Sequence, residues 1–443
     1  MLLHHGRGGL RADRARQGHG GLREDDAPPV LRRLEREAVP HLRCDGPDQG
    51  RPRRAAVLTA LRASAPLRRP RLDRRRPTDA RKDPRMFFEN GPPQAPAAQR
   101  AFRCAAERPM ALLQRCPAYA PTPLRECAPL AEALGLARLW VKDETARMRL
   151  GSFKALGGVF AVAQMIRDAA GVDDPMAEAA QAAARGMTFV TASAGNHGLS
   201  VASGARIFGA RGVIVLDRNV PERFADRIRA AGADVARVEG SYEDAVAEAG
   251  ALAERGGWLL LADGSWEGYV ERPALVMEGY AVLAEEARAA FEAAGAYPDH
   301  VLLQAGVGGM AAAVAAHIRE TWPTRPRITV VEPDRAACLL ESARAGALRR
   351  AAGAASCMGR LDCKDASLIA FESLRRDADA FVTVTDAEAE AAALRLAQVG
   401  VETTPSGAAG LAALATLADL DGRSAMIVAT EGPEGGEAAA AAP

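Results

Sequence analysis

Lysine is almost missing from this 443-residue chain: of its 57 basic residues only Lys82, Lys142, Lys154 and Lys364 are lysines, and the rest are arginine. Each lysine is therefore informative. Cysteine is sparse as well. The seven cysteines (Cys44, Cys104, Cys116, Cys127, Cys338, Cys357, Cys363) are odd in number, widely spaced and form no Cys-x-x-Cys pair, which argues against a disulfide framework and against a zinc site. A reducing, cytoplasmic setting is the expectation, with no metal site; Cys357 and Cys363 come nearest to metal spacing but lack neighbouring histidines. No apolar run approaches the roughly 18 residues that a membrane span needs, because the alanine tract after Gly309 is broken by His317 and Arg319. The chain also lacks an excess of one charge. Its 57 basic and 56 acidic residues leave a formal net charge of +1, which excludes a strongly basic nucleic-acid binder.

At 48% hydrophobic and 26% charged, the composition is that of a soluble globular enzyme long enough for two or three domains or one two-lobed unit. The near-neutral total hides two unlike segments. Residues 1–85 hold 21 arginines and Lys82 against 11 acids, a net +11, so residues 86–443 carry −10. The first segment has no sustained helical or strand period and reads as disordered. Three accounts compete for it: an organelle transit peptide, a basic nucleic-acid-binding arm, or a mis-annotated extension upstream of a start at Met86. Acids such as Glu24, Asp25 and Asp26 weigh against the first, the mixed charge weighs against the second, and the third is preferred.

From Met86 onward, short apolar runs alternate with alanine-rich helical stretches. Leu139–Val141, Thr188–Thr191, Gly212–Leu216, Asp234–Val238, Trp258–Ala262, His300–Gln304, Ile328–Glu332 and Ala425–Ala429 read as buried strands. Helical spacing falls between them at Phe153–Ile166, Ala194–Phe208, Glu222–Ala231, Tyr242–Glu254, Met277–Ala294 and Gly308–Glu320. This alternation predicts an α/β fold with largely parallel sheets flanked by helices.

Three glycine-rich turns stand at strand-to-helix junctions: Ser193 to Gly198, Gly306 to Met310, and Pro405 to Gly410. Such turns let backbone N–H groups approach an anion at the positive end of a helix, and ligands of open α/β sheets bind there. The loop Gly306-Val307-Gly308-Gly309 has the look of a phosphate cradle, although it is neither a dinucleotide fingerprint nor a nucleoside-triphosphate loop. Alone, it is equally a tight turn. Lys154 sits in Gly151-Ser152-Phe153-Lys154-Ala155-Leu156-Gly157-Gly158, ahead of an apolar helix, so partial burial is expected. Burial would favour the neutral amine needed for a Schiff base or for taking a proton from carbon. The alternative, a snorkelling surface lysine, is weakened by the chain's use of arginine elsewhere. The Ser193 turn offers a hydroxyl, an amide, an imidazole and N–H groups suited to a carboxylate and a ring oxygen; His197 by itself reads as structural.

These residues carry a resemblance. Ser-Phe-Lys-Ala-Leu-Gly-Gly at 152–158, Ala-Ser-Ala-Gly-Asn-His-Gly at 192–198, the glycine loop at 306–309 and Pro-Ser-Gly-Ala-Ala-Gly at 405–410 resemble, in order and spacing, the pyridoxal-phosphate enzymes of the tryptophan-synthase-β (fold type II) superfamily. Within it the chain is most similar to the diaminopropionate ammonia-lyases, through Tyr119 to Leu124, Val141 to Glu144, Phe153 to Gly158, Trp266 to Tyr269, Gln304 to Gly308 and Thr430 to Gly432. The likeness spans about residues 117–432. It departs at Ala194, where the ammonia-lyase pattern has an aspartate and the threonine dehydratases do not; the other family carboxylate is retained as Asp263.

The resemblance implies a two-lobed enzyme, with a larger cofactor-binding lobe at about 86–150 and 270–443 and a smaller lobe at about 151–269. It implies Lys154 as the covalent holder of pyridoxal 5'-phosphate, Asn196 on the ring oxygen, the N–H groups of Gly306, Val307, Gly308 and Gly309 on the phosphate, and Ser406 facing the pyridine nitrogen. A neutral hydroxyl there leaves the ring a weaker electron sink, which suits eliminations. The turn Ser193, Ala194, Gly195 and His197 would take the substrate carboxylate, Lys154 would remove the Cα proton, and Asp263 would assist the β-substituent, its alternative reading being a strand-end cap. Lys142, Asp143 and Glu144 read more simply as a surface ion cluster, Glu332 as a strand-end glutamate near the cofactor or a mere turn, and Trp266 and Tyr269 as pocket lining or core. The expected reaction is β-elimination on a small amino acid such as 2,3-diaminopropionate, giving a 2-oxo acid and ammonia in a homodimer. A serine or threonine dehydratase, favoured by Ser193-Ala194, a β-replacing enzyme of cysteine-synthase type and a catalytically silent relative are the alternatives, separated by product analysis and by the cofactor spectrum.

Overall fold

A computed structural model describes residues 86–91, 100–417 and 420–433. The segment 1–85, read above as disordered or mis-annotated, lies outside these residues. The strands in chain order are β1 (Phe87–Glu89), β2 (Leu124–Glu126), β3 (Arg138–Asp143), β4 (Thr188–Ala192), β5 (Arg211–Asp217), β6 (Asp234–Val238), β7 (Leu259–Leu260), β8 (His300–Gln304), β9 (Arg327–Pro333), β10 (Ala380–Val384) and β11 (Ser424–Ala429). They form two sheets. The larger runs β1-β10-β9-β8-β11-β3-β2, parallel except for its two antiparallel edges, and the smaller runs β6-β5-β4-β7, parallel throughout.

The order follows from the side chains. Strands β8 and β10 are buried at every position and largely apolar, as interior strands of a helix-covered sheet are. β1 and β2 are three residues long, half exposed and antiparallel, a short form of edge that offers little for another chain to pair with. Helices fill the crossovers. The Lys154–Ala170 helix packs on both Asn196–Phe208 and Glu271–Ala294, and its buried residues join the principal apolar core with those of Gly309–Thr321. Helix starts are satisfied locally: Ser241 with Asp244, and Thr385 with Glu388, form reciprocal capping boxes.

All eight strands expected from the sequence are present, although the one expected over Trp258–Ala262 pairs only through Leu259 and Leu260. Three further strands, β1, β2 and β10, and the helices Glu107–Leu113, Ala128–Leu134, Glu178–Arg185, Cys338–Ala345, Leu368–Asp377 and Asp386–Gln398 were not anticipated, whereas Pro405–Leu414 begins at the turn read as a strand-to-helix junction. β1 and β2 are too short to show a period. β10, Ala-Phe-Val-Thr-Val, is a readable β-branched run.

Candidate active site

Lys154 is the first residue of its helix, and the backbone ahead of it is unusual. Met148 and Arg149 have φ of 50° and 58°, a left-handed conformation that costs a non-glycine residue energy, and Gly151 follows at 76°. The turn is tied to the end of β11: Phe153 donates its N–H to the Thr430 carbonyl (3.1 Å), and Gly432 donates to the Gly151 carbonyl (3.0 Å). Lys154 thus leaves a braced turn with its side chain only one-fifth exposed. Its Nζ donates to Asp263 Oδ2 and stands 5.3 Å from the Phe153 ring centroid and 5.6 Å from that of Tyr280.

Burial by itself would lower the Lys154 pKa, but the Asp263 carboxylate outweighs it and raises the amine above its ordinary range. Burial would likewise raise Asp263, and the charge of Lys154 instead holds it well below the usual carboxylate range. Burial alone would favour the neutral amine, and the facing Asp263 carboxylate shifts Lys154 the other way, toward its ammonium form. The Asp263 carboxylate accepts Lys154 Nζ. Its loop is held from both sides, by the Tyr269 hydroxyl, which donates to the Leu260 carbonyl (2.8 Å) and accepts from the Ala262 N–H (3.0 Å), and by Ser265, whose N–H donates to Ser367 Oγ (3.0 Å). Ser367 in turn donates its N–H to the Val307 carbonyl (2.9 Å), so the Asp263 loop is linked to the glycine loop. Trp266 is 43% exposed and stacks on Tyr269 at 4.3 Å; it is not a core residue.

The glycine loop opens the Gly309–Thr321 helix. Gly308 has φ of 99°, where a side chain would be strained, and an added Cβ there would stand 3.0 Å from Leu339 Cδ1. The loop therefore places the N–H groups of Gly306, Val307, Gly308 and Gly309 at the positive end of a helix. Ser406 is buried in the first turn of Pro405–Leu414, and its Oγ accepts the Arg360 N–H at 3.1 Å, leaving the hydroxyl proton available to a ring nitrogen. In the third turn Ser193 Oγ accepts the Gly195 N–H (3.3 Å), Asn196 is buried at the helix start, and His197 Nε2 bonds the Leu261 carbonyl at 2.8 Å. Burial lowers the His197 pKa, in keeping with a structural imidazole. Ala194 packs against the Ile214 and Leu216 cluster and brings no polar side chain.

The donor set fits pyridoxal phosphate: an amine, a hydroxyl with a free proton, an amide, and a glycine cradle at a helix N-terminus. Sequence reasoning missed Arg360, Tyr280, Ser265, Ser367 and Cys363, whose sulfur lies 2.9 Å from the position of a Cβ on Gly306. None of these belongs to a local motif. Glu332 fully buries its carboxylate behind the glycine loop, accepting the N–H groups of Leu339 and Leu340 at 2.8 Å each, and burial pushes its pKa up to about 8 against the pull of those bonds.

The surface cluster expected at Lys142 to Glu144 is corrected as well. Lys142 is 1% exposed, and its Nζ donates to Glu286 (2.6 Å) and to the Thr122 hydroxyl and carbonyl (2.6 and 2.7 Å). Arg147 donates to Glu144 (2.7 Å) and to both oxygens of Glu286 (2.8 and 2.7 Å), and Tyr119 donates to Glu286 at 2.9 Å. Burial would raise Glu286, yet Arg147 and Lys142 hold it low. Asp143 pairs with Arg125 instead, at 2.7 Å.

Residues 116–431 match the family model of pyridoxal-phosphate dependent enzymes. The diaminopropionate ammonia-lyase of Escherichia coli strain K12 is 34% identical over 317 residues, covering 69% of this chain and 79% of that protein. The crystal structure of the Escherichia coli diaminopropionate ammonia-lyase in complex with D-serine superposes with a TM-score of 0.70 at 30% identity, over 79% of this chain and 94% of that one. At a greater distance, the biosynthetic L-threonine dehydratase of Pasteurella multocida is 29% identical over 51% of this chain and 38% of that protein.

Proposed function

This chain belongs to the pyridoxal-phosphate-dependent enzymes, and from that premise we propose that it is an ammonia-lyase eliminating the β-amino group of a small amino acid of the 2,3-diaminopropionate kind. The observation that carries this reading is the Lys154–Asp263 pair, set among the Ser193 turn, the glycine loop and Ser406. Lys154 would hold the cofactor's aldehyde, Gly306 to Gly309 its phosphate, Asn196 its ring oxygen and Ser406 its ring nitrogen. The bound cofactor supplies the electron sink that makes a Cα proton removable.

The protein groups divide the remaining work. The N–H groups of the Ser193–His197 turn bind the substrate carboxylate at a helix N-terminus. In its neutral form Lys154 Nζ would take the Cα proton, with Asp263 keeping that nitrogen oriented. With Lys154 drawn away, Asp263 holds the β-ammonium of the substrate by charge until it leaves. Hydrolysis then gives the 2-oxo acid and ammonia. A serine or threonine dehydratase is the second reading, favoured by Ala194, which provides no second carboxylate at the turn.

The same reading includes a cytoplasmic homodimer and a division into a larger lobe, about 86–150 with 270–443, and a smaller lobe, about 151–269. Support for the division is that the seven-stranded sheet draws on residues 87–143 and 300–429, and the four-stranded sheet on 188–260. Among the described residues no helix is long and apolar enough to cross a membrane. The deciding experiment gives the full chain with cofactor a panel of D- and L-amino acids and measures ammonia and 2-oxo acid. Release of both from 2,3-diaminopropionate is expected, and turnover of serine or threonine alone would transfer the chain to the second reading.

A further inference from the structure

Tyr280 is 1% exposed, and two glycines set its place. A Cβ on Gly157, three residues after Lys154, would stand 2.4 Å from Tyr280 Cε1 and 2.9 Å from its Cζ, closer than packed atoms come. On the other edge of the ring, Cε2 lies 3.8 Å from the position of a Cβ on Gly309, at the end of the glycine loop. Cζ lies between those edges and carries the hydroxyl, which therefore projects between the start of the Lys154–Ala170 helix and the glycine loop. The ring stands edge-on to Phe153 at 4.9 Å, and Lys154 Nζ is 5.6 Å from its centroid. Gly279 serves the same close approach of the Glu271–Ala294 helix, since a Cβ there would stand 2.5 Å from the Leu156 carbonyl oxygen. The missing side chain at Gly157 thus makes room for a phenol beside Lys154.

The buried Tyr280 hydroxyl makes no hydrogen bond of ordinary geometry. A buried phenol normally finds a partner, and leaving it without one is destabilising. The charged groups that influence it are Lys154 and Asp263, which are bonded to each other. Burial pushes its pKa up to about 12, so it stays a neutral hydroxyl with lone pairs to accept an N–H. Asp263 and Tyr280 both hold the Lys154 pKa up, and His197, Tyr242 and Cys363 also feel its charge. In the reading above, Asp263 turns to the β-ammonium of the substrate. Lys154 then requires another acceptor, because an enclosed ammonium without one is strongly disfavoured.

We propose that Tyr280 is a positioning residue for Lys154, whose hydroxyl oxygen receives an N–H of Nζ when the lysine leaves Asp263 and holds that nitrogen in place while Asp263 is engaged with the substrate. This deepens the ammonia-lyase reading and rests on it. One N–H of the neutral amine goes to the hydroxyl, which leaves the nitrogen lone pair free for the Cα proton. After the proton has passed from Cα to Nζ the same bond holds the ammonium, and Tyr280 keeps its own proton throughout.

The test is Tyr280→Phe, which removes the hydroxyl and keeps the ring. Loss of an unbonded buried hydroxyl should leave the melting temperature level or raise it, whereas loss of a structural one lowers it. In the full-length holoenzyme, at equal borohydride-sensitive absorbance, kcat for 2,3-diaminopropionate is expected to fall about 10- to 100-fold with KM changed much less. Lys154 itself is read in the full chain freed of cofactor, by mass spectrometry after brief treatment with an amine-acylating reagent; with four lysines in the chain the modified peptide is simple to follow. In an Asp263→Asn background, where Tyr280 is the remaining partner, Tyr280→Phe should raise labelling at about pH 9 by about 3- to 10-fold, because more of the amine is neutral. The rise should be smaller with Asp263 present. Unchanged labelling in that background overturns the proposal whatever the rate does, and so does a lowered melting temperature, or an unchanged kcat in a chain that turns the substrate over. Raised labelling in a chain that releases no ammonia from any amino acid would overturn the ammonia-lyase reading and leave the pairing of Tyr280 with Lys154 standing.

Discussion

Lys142 and Lys154 are both enclosed by the fold and both face carboxylates, yet their surroundings give them opposite roles. Lys142 lies at the end of β3 in a saturated network, where Glu286 receives Lys142, Arg147 and Tyr119, and Glu144 receives Arg147 and Thr122. Every hydrogen of its ammonium is committed, counting the Thr122 hydroxyl and carbonyl. Lys154 has one carboxylate partner, remains one-fifth exposed and stands on a strained, braced turn. A fully paired buried charge is fixed in place, whereas a singly paired one can exchange its partner. Exchange is what a catalytic amine requires. The network also has a task toward the site, since Arg147 begins the short 3-10 turn whose residues Met148 and Arg149 carry the strain just ahead of Lys154.

The contrast makes four predictions. Lys154→Ala is expected to lose at least about 1,000-fold in rate, because it removes both the covalent anchor and the base, and to lose the borohydride-sensitive absorbance; an unchanged spectrum would remove Lys154 from the mechanism. Glu286→Gln should do the reverse, destabilising the fold by about 3–5 kcal/mol, as when one member of a buried ion cluster is removed. Denaturant titration measures that loss, and the cofactor spectrum of the folded fraction should stay as in wild type.

Asp263→Asn comes next, with an expected loss of about 10- to 100-fold in kcat/KM and little change in cofactor content. Its pH behaviour follows from the direction of the two shifts. A raised Lys154 contributes stability below its ordinary pKa of 10.5, and a depressed Asp263 contributes above its ordinary 3.8. The stability gap between wild type and Asp263→Asn should therefore stay level from about pH 5 to 9 and close only in strong acid or base. The smallest effect is at Glu332. Its folded pKa of about 8 exceeds the ordinary 4.5, so the native state holds its proton longer than the unfolded chain, and stability falls as pH rises through that window. Glu332→Gln should flatten the fall by at least about 1 kcal/mol between pH 5 and 8, as read by thermal melts at several pH values.

Much of the proposed catalytic apparatus is readable from the sequence because the chemistry proposed for it is local. A phosphate cradle needs consecutive N–H groups at a helix start, so the roles proposed for Gly306 to Gly309, and for Ser193 to His197, fall on contiguous residues. Lys154 was legible through rarity and through its glycine-bounded apolar setting. The parallel sheets were legible because buried strands are continuous apolar runs. The charged residues were harder to place: Lys142, Glu144 and Glu332 each carry a formal charge that favours the surface, and only partners from other elements make their burial tolerable. Arg360 and the Ser265–Ser367 link had no motif at all, since they act across loops about a hundred residues apart or at a single position within one.

Residue order thus established the alternation of strands and helices, the three glycine turns, and Lys154 as the amine among so few lysines. Folding established its partner and the direction in which that partner shifts its pKa. Asp263 lies 109 residues away along the chain, and the attraction that reverses the expected effect of burial depends on the distance between them in space. The same holds for Lys142, which in sequence looks like the more exposed of the two lysines and in the folded protein is the more deeply buried.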